Sequence, residues 1–506
     1  MNTLKGICAA ALLLTLIACG GGSSSTTRNM PTPTPTPTGT PFPNDQHIAQ
    51  TPPVKMGTSG GNSTDSTTMG SKITCCSGTL GNLLLRGGTL FVLSNNHVLD
   101  KSDQGAANDP ITQPGLVDDN CGQMSSALVA HMTQAAALKP NPCNSTPCTG
   151  PAPSNVDAAM AQIVSGTVDT SGAILDLGAA GSTSIAPAPP SQTLAVPSAV
   201  LGANEGVAKS GRSTGLTCSN LGSVLTTVSV QYNVSCGGAL AFTSTFTNQV
   251  IINGGTFSAS GDSGSLVVTS DTARPVGLLF AGNSTSTTAN PIQDIIKAFT
   301  SAAGTPSVVG GVDHAVSCAP QASAPSANPT PGGATSLSIS ERQRVAAVQQ
   351  RRSAELMQDS AVTSVEIGAS DDNPGEGALL IQLSGATRSP IPATVDGVRT
   401  KIVLGPDSGL PQTPVLSPED MERAAVVKES HATALMSQGG IQGVGVGRSG
   451  DNPAETAIVI YVINGQTHPE IPQLLGGVRT KIVEGDRFRA FGWGKETKPA
   501  AKCVKK

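Results

Sequence analysis

The stretch Ser260–Val267, which reads SGDSGSLV, says most about the fold and function of this chain. It places Ser263 between Gly261 and Gly264 and next to Asp262. The glycines permit backbone conformations that larger residues resist, and such a tight loop leaves the N–H groups of Gly261 and Ser263 free. Small-residue turns also connect strands in many β proteins. A catalytic role for Ser263 therefore needs partners elsewhere in the chain.

A serine nucleophile needs a histidine to take its proton and a carboxylate to orient that histidine. His97 is the best candidate base, because it follows the apolar run FVLS where the chain turns. Asp157 is the best candidate acid, because it opens the apolar segment DAAMAQIV. Asp118 and Asp119 are adjacent in a loop bounded by Gly and Pro, and we expect them to be solvated. The alternative for His97 is a surface or core histidine without chemistry.

Short apolar runs separated by Gly, Asn, Ser and Pro predict β-strands from about Thr74 to Ser301. The near absence of long amphipathic helices there predicts closed or sandwiched antiparallel sheets. Aromatic residues make up only 2% of the chain, so the core is expected to consist mainly of Val, Ile, Leu and Ala. One helix is predicted from Pro291 to about Ser301, with Asn290 as its N-cap.

Five segments resemble, in this order, the trypsin-like (chymotrypsin-fold) serine proteases of bacterial type: FVLSNNHVL, NVDAAMAQI, KSGRSTGLT, SGDSGSLV and PVGLLFAGNS. The resemblance implies a mainly β fold with two six-stranded barrels that face each other. It also implies a serine endopeptidase that acts through an acyl-enzyme. Ser263 would be the nucleophile, His97 the base and Asp157 its orienting acid, with the amides of Gly261 and Ser263 as the oxyanion hole. An α/β-hydrolase fold is disfavoured, because its nucleophile motif needs glycine at position 265.

The resemblance places Phe257, Phe280, Ala281 and Gly282 around the substrate pocket. No acidic residue is among them, so a small or apolar substrate side chain is expected, and the alternative is that Phe257 is packed core. Digestive members of the family bury a new N-terminal amine against the residue equivalent to Asp262. No Ile-Val-Gly-Gly site follows a basic residue near Thr74, so Asp262 needs another partner.

The N-terminus predicts export. Lys5 precedes an apolar run that ends in Leu16-Ile17-Ala18-Cys19, which resembles a lipoprotein signal with Cys19 as the lipidated residue. Gly20 after the cysteine resembles an outer-membrane sorting signal, so we expect a lipoprotein anchored to the outer membrane and facing the periplasm or the cell surface; simple secretion is the alternative. Eight cysteines lie between residues 75 and 318, which favours disulfides over metal binding. Cys143 with Cys148, and Cys218 with Cys236, are possible pairs.

The chain after Cys318 contains a duplication. ELMQDSAVTSVEIGASDDNPGEGALLIQL matches ALMSQGGIQGVGVGRSGDNPAETAIVIYV, and each unit predicts helix, strand, strand, strand. The repeated Arg399, Lys401, Arg479 and Lys481 are interpreted as a solvated sheet face, with an anion site as the alternative. The predicted organisation is a signal peptide at 1–18, a disordered tether at 19–69, the protease domain at 70–318, a linker at 319–338, repeats at 339–410 and 411–495, and a basic tail at 496–506.

The formal charge of −4 gives no electrostatic reason to bind nucleic acid. No cofactor and no metal is predicted. The expected partners are a protein or peptide substrate and, through the lipid anchor, a membrane; the sequence leaves the oligomeric state open. A binding or adhesion lipoprotein built on an inactive or weakly active protease fold is the alternative to an enzyme.

Overall fold

The computed structural model describes residues 45–69, 72–122, 126–138, 155–181, 184–233, 236, 238, 240–318, 337–405, 408–411, 413–490 and 503–504. Cys19, Cys143 and Cys148 lie outside these ranges. The helices in the described residues are α1 (Asn96–Leu99), α2 (Pro197–Ala203), α3 (Ile292–Ala298), α4 (Ile339–Leu356) and α5 (Pro418–Met436). None of these helices is long and apolar enough to cross a membrane. The predominance of strands confirms the predicted mainly β class.

The first barrel is a closed antiparallel ring. Its strands are β1 (Thr58–Asn62), β4 (Gly78–Leu80), β5 (Asn82–Arg86), β6 (Thr89–Ser94), β7 (Pro110–Gln113), β8 (Ala127–Ala135) and β9 (Ala159–Ile163). Between β1 and β4 the chain forms a separate hairpin of β2 (Ser66–Met69) and β3 (Lys72–Cys75). Counting β4 and β5 as one bent strand, six strands close the ring in the order β1, β4/β5, β6, β9, β8, β7 and back to β1.

The predicted disordered tether at 19–69 is too long, because β1 lies inside the first barrel with all five of its residues buried. Its sequence TSGGN carries no apolar pattern, which is why it was predicted as tether. The small residues are required by packing. A Cβ atom on Gly60 would lie 2.4 Å from the Leu80 side chain. Asn62 completes the strand by donating a hydrogen bond from Nδ2 to the Leu99 carbonyl at 2.9 Å.

The second barrel is also a closed antiparallel ring. Its strands are β10 (Gly206–Gly211), β11 (Gly215–Asn233), β12 (Leu240–Asn253), β13 (Leu266–Thr269), β14 (Pro275–Gly282) and β15 (Ser286–Pro291). The ring runs β10, β13, β14, β15, β12, β11 and back to β10. The two predicted six-stranded barrels are therefore confirmed. After α3, the short β16 (Ser307–Val308) returns to the first barrel and pairs with β5.

The predicted N-cap of α3 is wrong. The helix begins at Ile292 after Pro291, and Asn290 still belongs to β15. The Asn290 side chain is used elsewhere: its Oδ1 accepts from the Asp157 amide at 3.0 Å and its Nδ2 donates to the Asp157 carbonyl at 3.0 Å. A residue that appears to cap a helix in the sequence thus connects the two barrels.

Three disulfides join described residues: Cys75–Cys121, Cys76–Cys236 and Cys218–Cys318. The suggested pair of Cys218 with Cys236 is wrong. Cys218 lies near the start of β11 and Cys236 follows its end, and an extended strand rises about 3.3 Å per residue, which separates the two cysteines. The disulfides fit a protein exported to an oxidising compartment.

Each unit of the duplicated region has the predicted order of one helix followed by strands. Each also contains one short strand of two residues that was not predicted. The first unit contains α4, β17 (Val362–Ala369), β18 (Gly377–Leu383), β19 (Thr394–Val395) and β20 (Val398–Leu404); the second contains α5, β21 (Ile441–Arg448), β22 (Thr456–Ile463), β23 (Leu474–Leu475) and β24 (Val478–Gly485). Two short strands follow, β25 (Arg489–Ala490) and β26 (Cys503–Val504), and β26 pairs with β3. The second unit joins the second barrel, because β21 pairs with β11.

The interpretation of the repeated cations as a solvated face is wrong for both arginines. Arg399 is 2% exposed and Arg479 is 4% exposed. Each arginine binds carboxylates of the opposite repeat: Arg399 contacts Asp451 at 3.0 Å, and Arg479 contacts Asp372 at 3.2 Å. A sequence read one repeat at a time cannot show this burial, because the partners come from the other unit.

Candidate active site

The structure brings His97 and Asp157 together. His97 Nδ1 lies 2.6 Å from Asp157 Oδ2, and the His97 backbone amide donates to Asp157 Oδ1 at 3.3 Å. The His97 side chain is 10% exposed and that of Asp157 is fully buried. The strand register explains this contact: Ser94 pairs with Ala159, so the residues just after β6 face those just before β9.

Two further side chains hold Asp157, and the sequence analysis identified neither of them. Tyr232 on β11 donates its hydroxyl to Asp157 Oδ2 at 2.9 Å, and Asn95 donates from Nδ2 to the Asp157 carbonyl at 2.7 Å. Burial, and then the charge of Asp157, raise the pKa of Tyr232 well above its usual range. Tyr232 therefore remains a proton donor and holds the carboxylate in position beneath the imidazole ring.

Ser263 lies on a loop whose shape requires glycine at two positions. Gly261 has φ of +98° and Gly264 has φ of +94°. A Cβ atom on Gly264 would lie 2.2 Å from the Thr79 carbonyl oxygen. Such conformations are open to glycine and strained for other residues. The positive φ angles and the close contact at Gly264 agree with the prediction that the loop needs these glycines.

Thr79 of the first barrel holds the Ser263 loop of the second barrel. Its amide donates to the Ser263 carbonyl at 2.7 Å, and its hydroxyl donates to the Gly261 carbonyl at 2.9 Å. The amides of Gly261 and Ser263, the predicted oxyanion hole, donate to no acceptor among the described residues. They are therefore available to a ligand.

Ser263 and His97 are not hydrogen-bonded to each other in this structure. The Ser263 hydroxyl lies 3.5 Å from the Phe280 carbonyl oxygen, to which it donates. His97 Nε2 is buried and has no hydrogen-bond partner among the described residues. Catalytic contacts are often long or misaligned without substrate. Asp157 and Ser263 are buried, His97 is partly exposed, and the Ser263 hydroxyl is turned towards β14.

The partner that Asp262 needs is Lys209. Its ammonium lies 3.5 Å from Asp262 Oδ2, and both side chains are fully buried. Asp262 also accepts hydrogen bonds from the amides of Ser213 at 2.8 Å and Ala259 at 2.9 Å, and from the Thr214 hydroxyl at 2.7 Å. Burial lowers the pKa of Lys209, and the Asp262 carboxylate opposes this shift. The loop is thus anchored without a new N-terminal amine.

The predicted pocket residues lie near the loop, but the phenylalanines are packed. Phe257 is 2% exposed in the core of the second barrel, and Phe280 is fully buried against Phe246 at 5.1 Å between ring centroids. Ala281 and Gly282 end β14. The expectation of solvated Asp118 and Asp119 is wrong: Asp118 binds Arg212 at 2.6 Å, and Asp119 is 1% exposed.

Asp65 is a second buried carboxyl group that senses the charge of His97, and burial determines the direction of its pKa shift. Burial raises the pKa of Asp65 to about 6, although the charges of Lys101 and His97 act in the opposite direction. The group is protonated more readily in the folded chain than in the unfolded chain. The folded state is therefore destabilised as pH rises from about 4 through 6.

We expect Asp65→Asn to stabilise the chain by about 2 kcal/mol at pH 8 and to have no effect at pH 4. The amide removes the buried charge and keeps the shape of the side chain. Denaturant unfolding from pH 4 to pH 8 measures the difference. Glu422→Gln, which makes the same change on the exposed face of α5, is the control. An equal gain at both pH values would contradict the assignment.

Comparisons with known proteins cover parts of the chain. Residues 332–444 match the family model for the TonB-dependent receptor plug domain, which is less than a quarter of the chain. No curated protein matches. Similar solved structures include a glutamic acid-specific serine protease (16% identity, 49% of this chain, 97% of that chain, TM-score 0.29). A Nocardiopsis protease is also similar, with 15% identity over 49% of this chain and 97% of that chain and a TM-score of 0.29. Thermobifida fusca protease A has 18% identity over 50% of this chain and 98% of that chain, with a TM-score of 0.27. The fold assignment rests on the strand pairings.

Proposed function

We propose that the chain is a serine endopeptidase in which Ser263, His97 and Asp157 cleave peptide bonds through an acyl-enzyme. The observation that carries the proposal is the 2.6 Å contact between His97 Nδ1 and the buried Asp157, which lie just after β6 and just before β9 of the first barrel. A buried carboxylate that orients a histidine beside a serine on a constrained loop suits nucleophilic catalysis.

In this mechanism the contact with Asp157 keeps a proton on His97 Nδ1, so Nε2 is free to accept one. The Ser263 hydroxyl turns from the Phe280 carbonyl towards Nε2 and attacks the carbonyl carbon of the substrate. Its proton passes to His97, and the amides of Gly261 and Ser263 bind the resulting oxyanion. His97 then protonates the leaving amine as the C–N bond breaks. Water, deprotonated by His97, then attacks the acyl carbon; the ester bond to Ser263 breaks and His97 returns the proton to the Ser263 oxygen.

A fluorophosphonate probe tests the proposal on the full chain. It reacts with a serine hydroxyl that a histidine activates within an oxyanion hole. We expect one adduct, located at Ser263 by peptide mapping, and none in His97→Ala. The absence of an adduct in the folded wild-type chain would favour the inactive binding or adhesion lipoprotein.

The chain's location and organisation belong to the same proposal. We infer export by the N-terminal signal, lipidation at Cys19 and attachment to the outer membrane, with the body facing the periplasm or cell surface. The disulfides support export. We propose a protease domain that ends near residue 318 and begins before β1, followed by the two repeats. The substrate is a protein or peptide with a small or apolar side chain at the cleaved bond.

Lys209 acts in this proposal as a positioning residue for the oxyanion hole. We expect Lys209→Met to lower the rate of Ser263 labelling by about tenfold to a hundredfold, because Asp262 loses its cation and the loop loses order. The four protein hydrogen bonds to Asp262 limit the loss of stability to about 2 kcal/mol.

Labelling kinetics at several probe concentrations separate the maximal rate from probe affinity. The maximal rate should fall more than affinity, and Lys209→Arg should recover part of it. Lys297→Met, on the exposed face of α3, is the control. An unchanged labelling rate in folded Lys209→Met would remove Lys209 from the machinery.

A further inference from the structure

The edge of β14 beside Ser263 is covered by the chain's own C-terminal region. Along this edge β14 first pairs with β13, from Pro275 to Leu278. Next comes the nucleophile loop, where the Gly264 amide donates to the Leu279 carbonyl at 2.8 Å. The last part of the edge is taken by β25, whose Ala490 pairs with Ala281 and whose Arg489 pairs with Gly282.

The direction of β25 is that of a peptide entering the site. The pairing is antiparallel, so β25 advances from Arg489 to Ala490 as its partner residues go back from Gly282 to Ala281. The next position on β14 is Phe280, whose carbonyl accepts from the Ser263 hydroxyl. An extended peptide bound in this direction leads its C-terminal side towards Ser263. It would therefore contribute the acyl part of a bond that Ser263 attacks.

The segment is anchored on both sides. The Phe488 carbonyl accepts from the Gln231 amide of β11 at 3.0 Å, and the Phe488 amide donates to Gln442 Oε1 at 2.9 Å. The Phe488 ring is fully buried, 5.7 Å from the Tyr461 ring centroid, in a cluster that includes Phe280. Asn283, just beyond β14, donates to the Asp486 carbonyl at 2.8 Å.

We propose that β25 occupies the peptide-binding edge of β14 in substrate direction and keeps the enzyme self-inhibited until it is displaced. The inference rests on the proposed function, since only an enzyme has an activity to inhibit. Extended peptides bind exposed sheet edges by main-chain hydrogen bonds, and β25 already makes those bonds. Displacement of β25 would free the main-chain edge at Ala281 and Gly282, next to the Phe280 carbonyl that the Ser263 hydroxyl contacts.

Two probes on the full-length protein test the inference. A small fluorophosphonate needs only the activated serine, whereas peptidyl phosphonates ending in Ala, Leu or Phe also need the β14 edge. We expect Phe488→Ala to raise the ratio of peptidyl to small-probe labelling by at least about tenfold, because the fraction with a free edge increases. Leu474→Ala, an exposed position in the same repeat, is the control.

A second variant, in which a disulfide locks β25 onto β14, keeps the test decisive if Phe488→Ala does not fold. In Ala281→Cys/Ala490→Cys the two residues face each other across the antiparallel pair and can form a disulfide. Oxidation should abolish peptidyl labelling relative to both single variants, and mild reduction should restore it. Equal peptidyl labelling in the wild type, Phe488→Ala and the oxidised lock would overturn self-inhibition and leave the enzyme in place. No reaction of any variant with either probe would overturn the proposed function and, with it, this inference.

Discussion

Ser263→Ala is expected to lower kcat by about 10⁵ to 10⁶ on the best substrate of a peptide library, because it removes the hydroxyl proposed to form the acyl-enzyme. His97→Ala should cost a similar factor, and the double variant should cost little more, since the two residues act as one unit. Asp157→Asn should cost less, about 10⁴, because the amide favours the wrong tautomer of His97 while the nucleophile remains.

The graded series separates catalysis from folding. Tyr232→Phe removes the hydroxyl that donates to Asp157 Oδ2 and is expected to cost about tenfold or less. Ser284→Ala, on the exposed turn between β14 and β15, is the matched control for Ser263 and should retain full activity. Thermal unfolding of each variant checks that the fold is intact. Undiminished hydrolysis by Ser263→Ala would rule out the proposed protease mechanism.

The barrels could be predicted from the sequence because their strands carry local signals. Alternating and continuous apolar runs mark β5, β6, β9, β13 and β14, and the motif order assigned His97, Asp157 and Ser263 to neighbouring loops. The roles of those three residues remain predictions that the labelling experiment tests. β1 had no such signal, because its small residues fit a space that only the packed Leu80 defines.

The residues that support the site contact their partners through the pairing and register of distant strands, which the sequence did not reveal. Lys209 reaches Asp262 because β10 pairs with β13, with Lys209 opposite Val267. In the sequence it is one lysine in KSGRSTGLT without a visible partner. Tyr232 reaches Asp157 from near the end of β11, where it pairs with Phe242 of β12. The position of β25 beside Ser263 also depends on long-range pairing, in this case between the second repeat and the second barrel.

The buried ion cluster of the repeats consists of two arginines, Arg399 and Arg479, and four carboxylates, Asp372, Glu376, Asp451 and Glu455. It arises from the repeated pattern S-x-D-N-P-x-E, at residues 370–376 and 449–455, and from the arginine of each VRTKIV strand. Burial and the neighbouring Asp451 raise the pKa of Asp372. For Asp451, hydrogen bonds from Ser370 and the Asp371 amide outweigh burial and lower the pKa. The arginines therefore balance three buried carboxylates, Asp372, Glu376 and Asp451, and one partly exposed carboxylate, Glu455.

Arg479→Met is expected to lower the free energy of unfolding of the repeats by about 4 kcal/mol, because Glu376 and Asp372 keep their charge without their main cation. Arg423→Met, which breaks the exposed pair with Asp420 on α5, should cost less than about 1 kcal/mol. Hydrogen exchange of β17 to β24 measures the loss in that region separately from the barrels.

Removing one of the excess charges as well should recover part of that stability. We expect Arg479→Met/Glu376→Gln to be more stable than Arg479→Met alone, with a coupling energy of about 1 to 3 kcal/mol. Additive effects would mean that the 2.5 Å contact between Arg479 and Glu376 does not stabilise the fold. The same variant also tests whether the order of the repeats affects the Ser263 site. β24 ends at Gly485 and β25 begins at Arg489, so loss of order in the repeats should free the β14 edge and increase peptidyl labelling of Ser263.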